Sequence, residues 1–176
     1  MRLTCLLVDM ICLFPPMYLL SSIFQRKLPQ LLLLLFLIKP DAILIDHGHF
    51  QYNSLILGLI LLSFYCMLNQ QYYLTCLLFT ITIHSKQMAV YYSLAFLSAL
   101  IGLTYQQLKY DRAKFMSELL KYATIVVVVS IAIWAPWMGS LQNLNEVLTA
   151  IFPVHRGLYQ LKVGNFWCIT DTVLEW

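Results

Sequence analysis

The sequence predicts an all-α, polytopic membrane protein, and three observations predict it. Hydrophobic residues make up 61% of the 176 residues and charged residues only 11%, outside the range of soluble domains. Mean hydropathy is +0.76. The apolar residues are gathered in runs that approach the length a helix needs to cross the hydrocarbon core, about twenty residues. The net charge of +3 is too small to suggest nucleic-acid binding, so the basic residues read as orientation signals or phosphate ligands.

Taken in order, the runs predict six spans. The first, Leu3 to Phe24, starts like a signal peptide but carries Asp9 and lacks a small-residue cleavage site. Pro15-Pro16 remove two backbone donors from it, so a kink is expected. The second, Leu28 to Ile45, is interrupted at Lys39-Pro40 and reads as a broken helix approaching a cavity. The third runs from Tyr52 to Leu68 and the fourth, also short, from Tyr72 to Ile83. The fifth is Met88 to Tyr105, and Gln106 to Lys121 is expected as a basic loop. The sixth is Tyr122 to Met138; its β-branched run Ile125 to Val129 still forms helix in lipid, where every backbone bond must close internally. Leu141, Leu144, Val147, Leu148 and Ile151 then recur at helical spacing and predict an amphipathic interfacial helix, ended by Pro153. The chain thus divides into a helical bundle segment, residues 1–139, and an interfacial helix with a polar tail, residues 140–176.

Span parity sorts the loops onto two sides. One side holds six basic residues, Arg26, Lys27, Lys109, Arg112, Lys114 and Lys121; the other holds five, Arg2, Lys39, Lys86, Arg156 and Lys162. The compact basic stretch Lys109 to Lys121 places the first side in the cytoplasm by the positive-inside rule. Both polar clusters of the chain then face the lumenal side.

The first cluster is Asp41 to Ser54, where Asp46, His47, His49, Phe50, Gln51, Tyr52 and Asn53 stand between apolar runs. Polar groups are costly at a membrane boundary, so such a cluster is a functional-site candidate. Asp46 also reads as a helix-start cap for the third span. His47 and His49 have no further ligands at metal-type spacing, so no metal is read here. Imidazoles, amides and aromatic faces together suit a sugar or a phosphate. The second cluster, Phe152 to Cys168, holds Arg156, Gly157, Lys162 and Asn165. Two readings of its cations stand: interfacial snorkelling, or grip on an anionic headgroup or pyrophosphate. Lys86-Gln87 is a third polar point, capping a helix end or neutralising a lipid phosphate. Asp9 pairs with a neighbouring helix or lines a cavity. Cys5, Cys12, Cys66 and Cys76 read as small buried hydrophobes, and Cys168 has no obvious partner. There is no internal repeat and no N-glycosylation sequon.

His49-Phe-Gln-Tyr-Asn53, Lys86-Gln-Met88, Phe152-Pro-Val-His-Arg-Gly-Leu158 and Lys162-Val-Gly-Asn-Phe-Trp-Cys168 resemble, in order and spacing, the endoplasmic-reticulum glucosyltransferases that use dolichyl-phosphate glucose. The resemblance covers essentially the whole chain. It is stronger to the branch that adds the first glucose, in α-1,3 linkage, than to the branch that adds the second. It implies part of a GT-C-type helical bundle, with a catalytic aspartate in a lumenal loop before the residues matched here. Met1 corresponds to the middle of a family member, so a central fragment is expected, with no catalytic residue of its own. The implied mechanism is an inverting displacement. A mannose hydroxyl of the pyrophosphate-dolichol oligosaccharide acceptor attacks the anomeric carbon, a carboxylate takes the proton, and dolichyl phosphate leaves. The resemblance implies substrate-binding roles for His47, His49, Gln51, Tyr52, Asn53, Lys86, Gln87, Arg156, Lys162 and Asn165. It implies no cofactor, no metal and no nucleic acid; the partners are the dolichyl-phosphate glucose donor, the acceptor and membrane lipid. Gln160-Leu161 departs from the two acids common in the family, and His155 from a usually small or acidic residue. A lipid transporter and an inert membrane scaffold are the competing readings.

Overall fold

The computed structural model describes residues 2–24, 52–108 and 110–151. They fall into two compact units, the first ending at Ile133 and the second beginning at Trp134. Every regular element among them is helical. The expected second span, Leu28 to Ile45, lies outside the described residues.

The first span is three helical segments in series: α1, Arg2–Val8; a π-helical segment, Asp9–Leu13; and α2, Phe14–Phe24. The expected proline kink takes this form. Pro15 and Pro16 have no N–H to offer the carbonyls of Ile11 and Cys12, and a proline ring clashes with the carbonyl four residues before it. The chain answers with a wider turn, in which the Phe14 N–H donates to the Asp9 carbonyl five residues back. The Cys12 carbonyl packs against Gly58 of the next described helix, where any Cβ would overlap it. Glycine there lets the two backbones meet, as small residues do between membrane helices.

That next helix is α3, Asn53–Leu68, which packs most extensively on α4, Tyr72–Ser85. The turn between them is a Schellman finish: Gln71 N–H donates to the Cys66 carbonyl and Gln70 N–H to that of Met67. Gln70 occupies the left-handed region at φ 61°. Between α3 and α4 the buried polar residues are small. Ser63, Thr75, Thr80 and Thr82 return their hydroxyls to carbonyls four residues back, which satisfies them without water.

A 3-10 segment, Gln87–Tyr92, leads into α5, Ser93–Leu108, and α6 runs over Arg112–Trp134. One apolar cluster joins Met67, Tyr72, Cys76, Leu100 and Tyr122; another joins Ile56, Ile60, Phe79 and Ala89. Phe96 packs on both and stacks on Phe79 with ring centres 4.1 Å apart. Elsewhere α5 and α6 expose large apolar side chains such as Leu94, Leu97, Val127 and Val128. Water would penalise such a surface; a bilayer would not.

Among the described residues, three helices are long and apolar enough to cross a membrane: Leu3–Ile23, Gln87–Leu108 and Arg112–Trp137. The α3 and α4 helices are apolar but shorter. The chain is therefore a polytopic helical membrane protein. The expected loop Gln106 to Lys121 is corrected, because α5 continues to Leu108 and α6 already begins at Arg112. Asp111 explains the early start: its carboxylate accepts the Lys114 backbone N–H at 3.0 Å, an N-cap. Glu118 and Lys121 then pair at 2.7 Å along the helix.

In the second unit, a 3-10 turn, Ala135–Trp137, precedes α7, Leu141–Ile151. The α7 helix is markedly amphipathic, as its spacing predicted. Ser140 opens it, its hydroxyl accepting the Gln142 N–H at 3.2 Å.

Candidate functional site

Two of the three sequence motifs meet at one end of the first unit. Tyr52 and Asn53 stand at the start of α3, and Lys86 and Gln87 stand where α4 gives way to the 3-10 segment. The Lys86 ammonium donates to the Asn53 amide oxygen, across 33 residues of sequence. Lys86 is the extended C-cap of α4, its own N–H bonded to the Thr82 carbonyl at 3.3 Å. Its side chain reaches across the helix pair, and the Asn53 amide orients the ammonium.

Tyr52 precedes α3 in the left-handed region, at φ 53° and ψ 34°. A bulky residue there stores about 1–3 kcal/mol of backbone strain. Its phenol is 3.1 Å from the Thr4 hydroxyl, which places the start of α1 beside the start of α3. Tyr52 holds the N-cap position of this helix and makes no side-chain cap of its own. Asp46 itself lies outside the described residues. The helix expected from Tyr52 therefore opens at Asn53, with its positive dipole end at the same end as Lys86. An ammonium beside a helix N-terminus favours an anion.

Close to this end, His84 Nε2 and the Ser130 hydroxyl lie 2.9 Å apart, joining α4 to α6. Sequence reading missed both Thr4 and this pair. The available signal was a polar side chain interrupting an apolar run, which is weak for threonine and serine. His84 and Ser130 cap a largely apolar cavity of about 340 Å³ that continues past Thr80, Phe96 and Leu97. Asp9 is buried in the π-helical segment, which packs on α3. Cys5, Cys66 and Cys76 are buried and Cys12 half-buried, and none of the four is in a disulfide.

Of the other expected substrate-binding residues, His47, His49, Gln51, Arg156, Lys162 and Asn165 lie outside the described residues. Cys168, Gln160-Leu161 and His155 do too.

Relatives with known names are similar to this chain over most of its length. A fruit-fly protein (Drosophila melanogaster), named as a probable dolichyl pyrophosphate Man9GlcNAc2 alpha-1,3-glucosyltransferase, is 35% identical over 98% of this chain and 37% of its own length. A Dictyostelium discoideum protein of the same name is 33% identical over 99% of this chain and 35% of its own length. The Saccharomyces cerevisiae protein, named without the qualifier, is 35% identical over 80% of this chain and 26% of its own length. The chain thus spans roughly a third of these relatives. Residues 1–176 match the ALG6, ALG8 glycosyltransferase family throughout, and the chain belongs to that family.

Proposed function

We propose that this chain is part of a glucosyltransferase that moves glucose from dolichyl-phosphate glucose to a lipid-linked oligomannose, forming the α-1,3 linkage of the first glucose. The observation that carries the reading is the Asn53–Lys86 hydrogen bond, which joins two motifs at one end of the bundle. The names of the relatives support the acceptor class and the linkage.

In this reading the Asn53–Lys86 end faces the lumen of the endoplasmic reticulum. Lys86 and the N-terminus of α3 hold a phosphate. As glucose leaves its carrier, negative charge grows on the dolichyl-phosphate oxygen, and a fixed cation stabilises that charge where water is scarce. Tyr52 and Gln87 line the same end, with His47, His49 and Gln51 shaping the sugar or phosphate site. Arg156, Lys162 and Asn165 complete the anion grip. The proton acceptor is a carboxylate from outside residues 1–176, as the family resemblance implies. No metal and no cofactor enter the mechanism.

The test is transfer by the full-length enzyme, with dolichyl-phosphate glucose and two acceptors: the oligomannose lipid and the same lipid already carrying one glucose. Lys86→Ala is expected to cut kcat/KM by about 10²–10³-fold, the effect of losing one charge-stabilising group. Arg156→Ala is expected to abolish transfer while the purified protein keeps its elution profile. Normal transfer by both variants would sink the assigned roles. Preference for the already glucosylated acceptor would move the protein to the second-glucose branch.

A further inference from the structure

The end of the first unit opposite Asn53 and Lys86 holds a second cavity, of mixed polar and apolar lining and about 280 Å³. Three elements meet there: the start of α4 at Tyr72, the end of α5 at Gln107 and Leu108, and the first turns of α6. Its walls carry Gln70, Tyr73, Gln107, Lys114, Glu118 and Tyr122. None of them belongs to the motifs used above. We infer that this cavity binds the headgroup of an ethanolamine phospholipid, its ammonium toward Glu118 and its phosphate toward Lys114.

Depth is the first argument. The α4 helix has 14 residues, so at 1.5 Å per residue its two ends lie about 20 Å apart. The apolar part of α6 begins after Tyr122. Its first turns carry Arg112, Lys114, Glu118 and Lys121, which belong at headgroup depth and not among acyl chains. Tyrosines gather at that level in membrane proteins, and Tyr72, Tyr73 and Tyr122 form an edge-to-face group here, with Tyr73 and Tyr122 centred 5.5 Å apart.

Charge is the second argument. A purely anionic guest would meet Glu118, and a purely cationic one Lys114. A zwitterion satisfies both walls. Glu118 is held by the Tyr73 hydroxyl and by Lys121 Nζ at 2.7 Å, which fixes the carboxylate in place. Gln107 gives an amide N–H to the Tyr72 phenol at 3.0 Å, and its carbonyl oxygen serves as a further acceptor. Carboxylate and amide acceptors suit an ammonium with three N–H donors; a choline head has none. Lys114 pairs with Asp111 at 3.3 Å, and its largely exposed side chain is free to turn to a phosphate. At about 280 Å³ the cavity lies just below the usual range of small-ligand pockets, about 300–1,000 Å³.

The experiment uses the full-length protein, stripped of lipid in detergent, and titrates phosphatidylethanolamine, phosphatidylcholine and phosphatidylglycerol of identical chains under native mass spectrometry. The ethanolamine lipid is expected to be retained at about tenfold lower concentration, a difference of about 1.4 kcal/mol. Glu118→Gln, which still accepts from Tyr73, is expected to erase that preference, and Lys114→Gln to weaken it. Glu146→Gln, on α7, is expected to leave it intact. Millimolar phosphoethanolamine is expected to displace the bound lipid. Equal retention of the three lipids overturns the inference, as does a preference that survives Glu118→Gln. A preference untouched by phosphoethanolamine places recognition in the acyl chains and overturns it too.

Discussion

Single residues decide how closely this bundle packs. Gly58 faces the Cys12 carbonyl with no room for a methyl group, whereas nothing lies within 4 Å of a Cβ built on Gly102. Gly58→Ala is therefore expected to push the first span off α3 and destabilise the protein by about 1–3 kcal/mol. Gly102→Ala is expected to be tolerated. Thermal unfolding of the two purified variants separates them, and equal melting points would refute the close approach. The Asn53–Lys86 bond is testable in the same way. A hydrogen bond to a charged group contributes about 1.5–3 kcal/mol, so the double variant Asn53→Ala, Lys86→Ala is expected to lose less stability than the sum of the single ones. Additive losses would mean that the two side chains do not interact.

The polar extension of α6 is the element that sequence reading misjudged. A hydropathy window finds apolar residues, so it placed the helix start at Tyr122, where the apolar run starts. The helix itself starts ten residues earlier, because Asp111 caps it and Arg112 to Lys121 are good helix formers. Amide hydrogen exchange tests this directly: Phe115 to Lys121 are expected to exchange slowly, where a loop would exchange at once. The Lys114 backbone N–H holds the Asp111 carboxyl below its ordinary range. A depressed carboxylate contributes stability above its unfolded pKa and loses it as pH falls through the folded value. Protection of the first turn is thus expected to hold at neutral pH and to fade on acidification below the ordinary aspartate value of 3.8. Asp111→Asn is expected to remove that pH dependence. Other elements were legible for clear reasons. Apolar length gave α3, α4 and α5 to within a few residues, and the 3.6-residue spacing of leucines gave α7. The turn at Gln70 hid its type, because a glutamine holds the left-handed position that glycine usually marks. Tyr52 is the same case at a helix start. Pro15-Pro16 announced a disturbance, but not that a π turn would absorb it.

At the scale of the molecule, the question is which face of the membrane each end of the bundle occupies. The bonds Thr4–Tyr52 and Asn53–Lys86 gather the starts of α1 and α3 and the end of α4. The Tyr73–Glu118 bond gathers the start of α4 and the first turns of α6. Span parity demanded this division, and it follows from residues far apart in sequence. Why it was legible is physical: a span reverses the chain each time, so counting spans assigns ends without any knowledge of packing. Which end faces the lumen rests instead on basic residues, six against five, a small bias. Cysteine labelling decides it. The described native thiols are buried or half-buried, so with Cys168→Ser the background is expected to be low. In sealed microsomes, Lys114→Cys is expected to react with an impermeant maleimide from outside, and Lys86→Cys only after the vesicles are opened. The reverse pattern would put the Asn53–Lys86 end in the cytosol, away from a lumenal acceptor, and the proposed reaction would lose its site. Labelling of both from the same side would break the fold itself, because α4 would no longer cross between the two ends.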